Sequence, residues 1–271
     1  MSPVAFTIAG FDIRWYSLLI IIAVIISYFM IINETNKFHI SKEFTFNMIF
    51  WTLVIGILGA RLYYVLFEFG YYKEHLSEIF MIWKGGLAIH GGLLFGCLTM
   101  IIYCKKYGMR VGKMFDIVVV PLLLAQAIGR WGNFFNSEAY GISVDYYTLI
   151  NIKIIPQFIV DNMYINGAYH LPMFYFESLW CLLGFIIALF VRRRKYIKEK
   201  QIFGFYLIWY GFARFFIEIF RTDSLMLGNI KVARIMSVIM VIVGVLIEII
   251  QTRKPKLDEL YNHINGDEVR F

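Results

Sequence analysis

Seven apolar segments constrain the fold of this 271-residue chain more than any other feature of its sequence. They span residues 15–32, 46–67, 87–103, 115–135, 173–191, 202–220 and 232–250. An α-helix needs about 20 apolar residues to cross a bilayer core that is about 30 Å thick. Hydrophobic residues make up 60% of the chain, more than is usual in soluble domains. We therefore predict an all-α polytopic membrane protein with seven transmembrane helices.

The lysines and arginines between these segments predict the orientation of the chain. Sixteen lie in one alternate set of loops, formed by residues 33–44, 104–114, 192–201 and the tail from Gln251, against six in the other set. The positive-inside rule then places the N-terminus outside and the C-terminus in the cytoplasm. The net charge of +7 follows from this topology, so we expect no nucleic-acid partner.

The loop lengths divide the chain into four parts. Residues 1–135 contain helices 1–4, residues 136–172 form a head loop outside the membrane, residues 173–252 contain helices 5–7, and residues 253–271 form a cytoplasmic tail. The head sequence alternates apolar and polar residues on both sides of Asn166-Gly167, a pair typical of two-residue hairpin turns. We therefore predict a small, partly β extracytoplasmic head.

Ionisable residues inside the apolar segments need an explanation, because each costs roughly 2.5 kcal/mol or more near the bilayer centre. Arg214, Glu218 and Arg221 follow spacings of four and three in "FARFFIEIFR", which places them on one helical face. This face either forms ion pairs that stabilise the bundle or lines a binding site. His90, between the glycine pairs of "GGLAIHGG", either lines a ligand cavity or forms a hydrogen bond between helices.

The stretch "AIGRWGNFFNSEAYG" places polar groups at the end of an apolar segment. Arg130, Asn133 and Asn136 are spaced by three, and Glu138 follows near enough to orient the arginine. A guanidinium matches phosphate geometry, and asparagine offers both a donor and an acceptor. Arg61, Arg130 and Arg214 all fall in the outer halves of their helices. Their convergence would form a cationic pocket for an anionic lipid headgroup.

Several reaction classes lack their sequence signals. The chain has no GxSxG motif, no GxxxxGK[ST] motif and no zinc-ligand spacing of His and Cys. We therefore expect no acyl-enzyme, no ATP hydrolysis, no metal and no cofactor. An enzyme with this sequence would take its nucleophile from a substrate.

Four motifs together resemble one enzyme family. "IRWYSLLI", "GGLAIHGGLLFG", "GRWGNFFNSEAYG" and "YGFARFFIEIFR" occur in the order found in bacterial prolipoprotein diacylglyceryl transferases. The resemblance implies a seven-helix plasma-membrane enzyme. Its partners would be phosphatidylglycerol and a prolipoprotein. The diacylglyceryl group would pass from the lipid to the lipobox cysteine thiol, with release of glycerol phosphate.

The resemblance also implies roles for individual residues. His90 is expected to act as the base for the thiol, and Arg130 and Arg214 are expected to stabilise the leaving phosphate. Glu138 and Glu218 are expected to orient these arginines. The remaining substrate-binding candidates are Tyr16, Arg61, Asn133, Asn136, Gly141, Tyr210 and Arg221.

One stretch departs from the family pattern. A His-Pro-(Ser/Thr)-Gln-Leu-Tyr-Glu sequence is common in the family before the fifth helix. This chain has "LPMFYFE" there, and only Pro172 and Glu177 match the family sequence. This departure leaves a catalytically specialised paralogue as one alternative. A non-enzymatic carrier or flippase for anionic lipids is another.

Overall fold

The computed structural model describes residues 2–8, 10–222, 226–227 and 230–263, and most of them are helical. The α-helices are α1 Trp15–Lys37, α2 Lys42–Phe67, α3 Phe69–Tyr72, α4 Ile89–Lys106, α5 Val111–Phe135, α6 Tyr146–Asn151, α7 Gln157–Asp161, α8 Met173–Val191, α9 Gln201–Phe220 and α10 Val232–Arg253. The strands are β1 Val4–Ile8, β2 Phe11–Arg14, β3 Ser143–Val144, β4 Tyr164–Ile165, β5 Ala168–His170, β6 Met226–Leu227 and β7 Ile230–Lys231. Two 3-10 helices, Leu76–Phe80 and Ile82–Lys84, precede α4.

All seven predicted apolar segments form helices, and this confirms the all-α class. Six helices in the described part of the chain are long and apolar enough to cross a membrane: α1, α2, α5, α8, α9 and α10. The third predicted span, α4, is 18 residues long and falls outside this group. The helix includes His90 and two lysines at its C-terminal end, and these residues lower its mean hydropathy. The structure therefore supports a multi-pass membrane protein with six clear spans, where seven were predicted.

The chain divides into two compact units. The first contains Met1–Met30 and Phe115–His263, and the second contains Ile31–Met114. In the first unit α5 is the central helix, because half of its span is buried, compared with 11% for α1 and for α10. The large apolar side chains that α1 and α10 expose are those of a lipid-facing surface.

The predicted head is confirmed as a small, partly β element within the first unit. β4 and β5 pair antiparallel across Asn166 and Gly167, and β3 adds to the other side of β5. Asn166 and Gly167 have φ values of 52° and 87°, as a two-residue hairpin turn requires. Apolar residues of α6 and α7 pack with Phe134 of α5 and Phe174 of α8 in one buried cluster. The head is therefore anchored to the adjoining ends of α5 and α8.

In the second unit, α2 and α4 pack closely through glycines. Gly91 lies against the backbone of Gly59 and Ala60, and Gly92 lies against Gly56. Small residues allow such close approach between membrane helices. The second glycine pair of "GGLAIHGG" is therefore used for helix packing.

The chain after α10 returns to the loop between α8 and α9. Tyr261 is fully buried, and its N–H donates to the Ile197 carbonyl at 2.9 Å. The first part of the predicted tail is thus folded against residues 192–199 of the first unit. Residues 264–271 of the predicted tail lie outside the described residues.

Candidate active site

A buried carboxylate on α8 joins arginines from two other helices. Glu177 Oε1 lies 2.5 Å from Nη2 of Arg130 on α5, and Glu177 Oε2 lies 3.4 Å from Nη1 of Arg214 on α9. The Glu177 side chain is only 2% exposed. Because each oxygen faces a different guanidinium, this carboxylate sets the separation between the two arginines.

The predicted polar face of α9 supplies a second carboxylate. Glu218 Oε2 lies 2.7 Å from Nη2 of Arg214, one helical turn away, and its side chain is 1% exposed. Arg221, the third residue of this face, follows the last turn of α9, and its backbone forms an isolated β-bridge with Gly141. The Arg214–Glu218 ion pair that the helical spacing suggested is therefore present. It lies beside the Arg130–Glu177 pair.

A tyrosine completes this group of side chains. Arg130 Nη2 donates to the Tyr210 hydroxyl at 3.2 Å, and that hydroxyl donates to Glu177 Oε1 at 3.4 Å. We refer to Arg130, Glu177, Tyr210, Arg214 and Glu218 as the Glu177 cluster. It joins α5, α8 and α9 within the first unit.

The Glu177 cluster retains unused capacity to bind an anion. Its two arginines and two ionised carboxylates would balance in charge, yet each guanidinium has five N–H donors. Among the described residues, no protein acceptor contacts Nε or Nη1 of Arg130 or Nε of Arg214. Their side chains are 19% and 16% exposed. An anion that reaches the cluster therefore finds fixed donors that are already desolvated.

The end of α5 carries other residues of the polar stretch "AIGRWGNFFNSEAYG". Ser137 and Ala139 have φ values of 53° and 56°, so the chain turns sharply here. The Glu138 side chain is exposed. Glu138 was predicted to orient Arg130, but the ion-pair partner that the structure gives to Arg130 is Glu177. The sharp turn directs the chain after α5 into the head.

Four further candidates lie near this end of α5. The Oδ1 atom of Asn136 is buried without a hydrogen-bond partner in the described part of the chain. Gly132 lies directly against the Tyr16 ring, which leaves no room for a side chain at that position. The Gly141 carbonyl faces Nδ1 of His170 at 2.8 Å. Within the described residues the Asn133 side chain makes no hydrogen bond, and the Asn133 backbone carbonyl accepts from the Glu138 N–H at 2.9 Å.

Arg61 and His90 lie in the second unit. Arg61 is 6% exposed and donates to the carbonyls of Glu78, Ile79, Gly85 and Gly86 at 2.6–3.0 Å. Its guanidinium thus fixes the segment that leads into α4. His90 stands in the first turn of α4, with its ring 6.4 Å from the Tyr63 ring.

Charged side chains fix both ends of α9, which carries three members of the Glu177 cluster. At its start, the fully buried Asp116 of α5 accepts from the N–H groups of Lys200 and Phe203 at 2.5 and 2.8 Å. At its end, Lys231 Nζ donates to the carbonyls of Glu218 and Arg221 at 2.7 and 2.6 Å. A hydrogen-bond acceptor at the start and a cation at the end both suit the helix dipole.

Sequence reasoning counted Glu177 among the ionisable residues inside the apolar segments but gave it no role, and it did not find Asp116 or Lys231. The signal at Glu177 was a carboxylate inside an apolar segment at a position that the family pattern keeps. Asp116 also carried a signal, since it follows Phe115 at the start of an apolar segment. Lys231 carried none, because a lysine before a membrane helix is ordinary.

Comparison with known proteins identifies what this chain resembles. Residues 3–250 match the model of a family described as prolipoprotein diacylglyceryl transferase. The matched region includes every residue of the Glu177 cluster, together with Arg61 and His90.

Individual relatives cover nearly the whole chain. Phosphatidylglycerol–prolipoprotein diacylglyceryl transferase of Staphylococcus saprophyticus is 42% identical over 255 residues, which cover 94% of this chain and 91% of the relative. The protein of the same name from Listeria innocua is 42% identical, over 96% of this chain and 93% of its own length. The one from Streptococcus pneumoniae is 44% identical, over 94% and 95% respectively. The similarity therefore extends through both units.

Proposed function

The chain belongs to the prolipoprotein diacylglyceryl transferase family, and on this basis we propose that the Glu177 cluster is the centre at which it transfers the diacylglyceryl group of phosphatidylglycerol to prolipoproteins. The observation that carries the assignment is the pair of arginines fixed by one buried carboxylate. The lipid headgroup is a phosphodiester, and the two guanidiniums offer free N–H donors of the geometry that phosphate requires.

The reaction replaces a carbon–oxygen bond by a carbon–sulfur bond. The thiolate of the lipobox cysteine attacks C3 of the diacylglyceryl group, and the bond from that carbon to the phosphate oxygen breaks. A thioether forms, glycerol phosphate leaves with the bonding electron pair, and the thiol proton passes to a base. The phosphate thereby changes from a monoanion to a dianion.

Arg130 and Arg214 stabilise the charge that develops on the leaving phosphate. Such donors act most strongly when they are preorganised and shielded from water. Glu177 supplies the preorganisation, because its two oxygens hold one guanidinium each. Glu218 fixes Arg214 from its own helix.

Asn136 and Tyr210 bind the polar part of the headgroup. The buried Oδ1 of Asn136 accepts a hydrogen bond from a glycerol hydroxyl, because a buried acceptor without a partner is costly. Tyr210 contacts both Arg130 and Glu177. The proposed substrate-binding surface also includes Asn133, Tyr16, Gly141, Glu138 and Arg221.

His90 serves as the base for the incoming thiol, because the reactive form is the thiolate and histidine takes up protons near neutral pH. Arg61 contributes by fixing the 78–86 segment through four backbone carbonyls. This segment leads into the helix that carries His90. The roles of His90 and Arg61 are part of this proposal.

The proposed topology places the N-terminus and the head outside the cell and the C-terminus in the cytoplasm. The distribution of lysine and arginine supports it, since sixteen of these residues fall in one alternate set of loops and six in the other. In a variant without its three native cysteines, Tyr147→Cys in the head should react with a membrane-impermeant thiol reagent on intact cells. Lys195→Cys should react only after lysis. The reverse pattern would contradict this orientation.

The decisive test of function is direct transfer. Purified protein is incubated with phosphatidylglycerol that carries labelled acyl chains and with a lipobox peptide. We expect a labelled peptide thioether and stoichiometric glycerol phosphate. Binding of lipid without either product would contradict the enzymatic proposal and support a carrier.

A further inference from the structure

A cleft in the second unit has the features of a lipid-binding site and lies outside the Glu177 cluster. It has a volume of about 500 Å³ and lies between the first half of α2 and the last half of α4. The residues that line it are Asn47, Trp51, Ile55, Thr99, Ile102, Tyr103, Lys106 and Tyr107. We refer to this space as the α2–α4 cleft. Its size is typical of small-molecule sites.

Each wall of the cleft is one continuous helical face. Asn47, Trp51 and Ile55 repeat every four residues along α2. Ile102, Tyr103 and Lys106 of α4 follow Thr99 by three, four and seven residues, and Tyr107 directly follows the helix. The glycine contact between the two helices includes Gly56 and Gly96, which lie beyond the deep end of the cleft. The cleft therefore opens where the close helix packing ends.

The lining changes from polar to largely apolar along the helices. The polar residue at its inner end, Thr99, donates its hydroxyl hydrogen to the Phe95 carbonyl at 2.7 Å. Asn47, Lys106 and Tyr107 lie near the helix ends that carry Lys42 and Lys105. Ile55 lies two turns further in, about 12 Å from Asn47 along the helix axis. A phospholipid changes from headgroup to acyl chain over a similar distance. The polarity of the cleft thus matches the polarity of a lipid that stands in the membrane.

The polar end of the cleft carries an available positive charge. In the described part of the chain, no carboxylate lies within ion-pair distance of Lys106 Nζ. The Lys106 Nζ atom lies 5.2 Å from the Tyr107 ring centroid, and the Tyr107 ring lies 4.7 Å from the Tyr103 ring. Lys105 adds a second positive charge, while Glu43 in the first turn of α2 opposes only one of them.

We propose that the α2–α4 cleft binds one anionic phospholipid, with its phosphate at Lys106 and its acyl chain along Ile55 and Ile102. Basic pockets between membrane helices bind anionic headgroups, and tyrosine and tryptophan favour the membrane interface. The bound lipid is separate from the substrate, because no residue of the cleft belongs to the Glu177 cluster. The proposal is independent of the transfer reaction.

Fluorescence of Trp51 reports on the cleft directly. The protein is reconstituted in phosphatidylcholine vesicles that contain brominated phosphatidylserine or brominated phosphatidylcholine, and quenching is measured for the wild type and for Trp51→Phe. The difference between the two proteins isolates the signal of Trp51 from the other tryptophans. Phosphatidylserine is chosen because it is anionic but lacks the glycerol headgroup of the substrate.

We expect brominated phosphatidylserine to quench Trp51 at a several-fold lower mole fraction than brominated phosphatidylcholine. Lys106→Gln should weaken this preference about fivefold, because it removes one surface cation. Lys105→Gln is the matched control, since it makes the same change at an exposed neighbour that does not line the cleft, and it should retain most of the preference. Equal quenching by both lipids in the wild type, or an equal loss in the two lysine variants, would overturn the proposal.

Discussion

The Glu177 carboxylate on α8 lies 2.5 Å from the Arg130 guanidinium on α5, although 46 residues separate the two along the chain. The same carboxylate contacts Arg214 on α9. Three helices that contribute charged residues from apolar spans, one each from α5 and α8 and two from α9, therefore meet at a single ion-pair network. Such a network satisfies the buried charges and also presents arginine donors to a ligand.

Replacement of Glu177 should disrupt both folding and transfer. Glu177→Ala removes the partner of two largely buried cations, and the loss of one partner from a buried pair costs about 3–5 kcal/mol. Glu177→Gln keeps the shape but loses the charge, so the arginines are less well fixed. We expect Glu177→Gln to reduce kcat by about 100-fold, since small displacements of a binding group have effects of that size.

The matched control for Glu177→Gln is Glu248→Gln. Glu248 is a carboxylate within α10 of the same unit, but its partner is Gln201 at 3.0 Å and not an arginine of the cluster. This variant should retain transfer within about threefold of the wild type. Equal loss in the two variants would show that any carboxylate inside the bundle is required, and the specific role of Glu177 would be rejected.

Arg130→Ala and Arg214→Ala should each reduce kcat by about 100-fold to 1000-fold or more, to the limit of measurable transfer. The reason is that a preorganised donor to a developing oxyanion has effects of that order. Lysine at either position should restore little, because it lacks the planar fork that contacts two acceptors. The measurement is thioether formation at saturating phosphatidylglycerol.

Arg234→Gln controls for the removal of an arginine from the bundle. Arg234 lies on α10 with its guanidinium 4.9 Å from the Phe215 ring centroid. It makes no ion pair with a carboxylate of the Glu177 cluster. Near wild-type transfer is expected for this variant. Turnover that persists in Arg130→Ala or Arg214→Ala would refute the proposed phosphate site.

The sequence predicted the spans and the local pairs, because both depend on residues that are close along the chain. The Arg214–Glu218 ion pair follows from helical spacing, and the Asn166-Gly167 turn follows from the need for positive φ. The Arg130–Glu177 pair could not be predicted in this way. Hydrophobic periodicity gives the buried face of a helix but does not tell which helices come into contact.

The assignment of Glu138 shows the same limit. Its position eight residues after Arg130 suggested an ion pair, but the chain turns at Ser137 and Ala139, and the Glu138 side chain becomes exposed. The backbone conformation at the end of α5 therefore decided the partner of Arg130. Proximity in sequence was a poor guide here because the helix ends between the two residues.

His90→Gln tests the proposed base. If His90 removes the thiol proton, the variant should lose at least tenfold in kcat at neutral pH. The loss should decrease as the pH rises, because the peptide thiol then ionises without assistance. His75→Gln is the control, since His75 is exposed in the same unit and stacks on Tyr71. A wild-type pH profile in His90→Gln would remove His90 from the mechanism as an obligatory base.

Replacement of Asp116 should loosen the start of α9 and thereby displace Arg214. Asp116→Ala leaves the N–H groups of Lys200 and Phe203 without their acceptor, and loss of such a cap costs about 0.5–2 kcal/mol. We expect a lower midpoint of thermal unfolding together with reduced kcat. Asp116→Asn should recover part of both, because its amide oxygen can still accept from one of the two N–H groups.

Asp161→Ala provides the comparison for Asp116→Ala. Asp161 is exposed in the head, where it accepts a hydrogen bond from Gln157. Because it contacts no residue of α9, its replacement should leave both the unfolding midpoint and kcat close to wild-type values. The decisive outcome is the joint change in Asp116→Ala. A lower unfolding midpoint with unchanged kcat would mean that Asp116 stabilises the bundle without positioning Arg214 for the reaction.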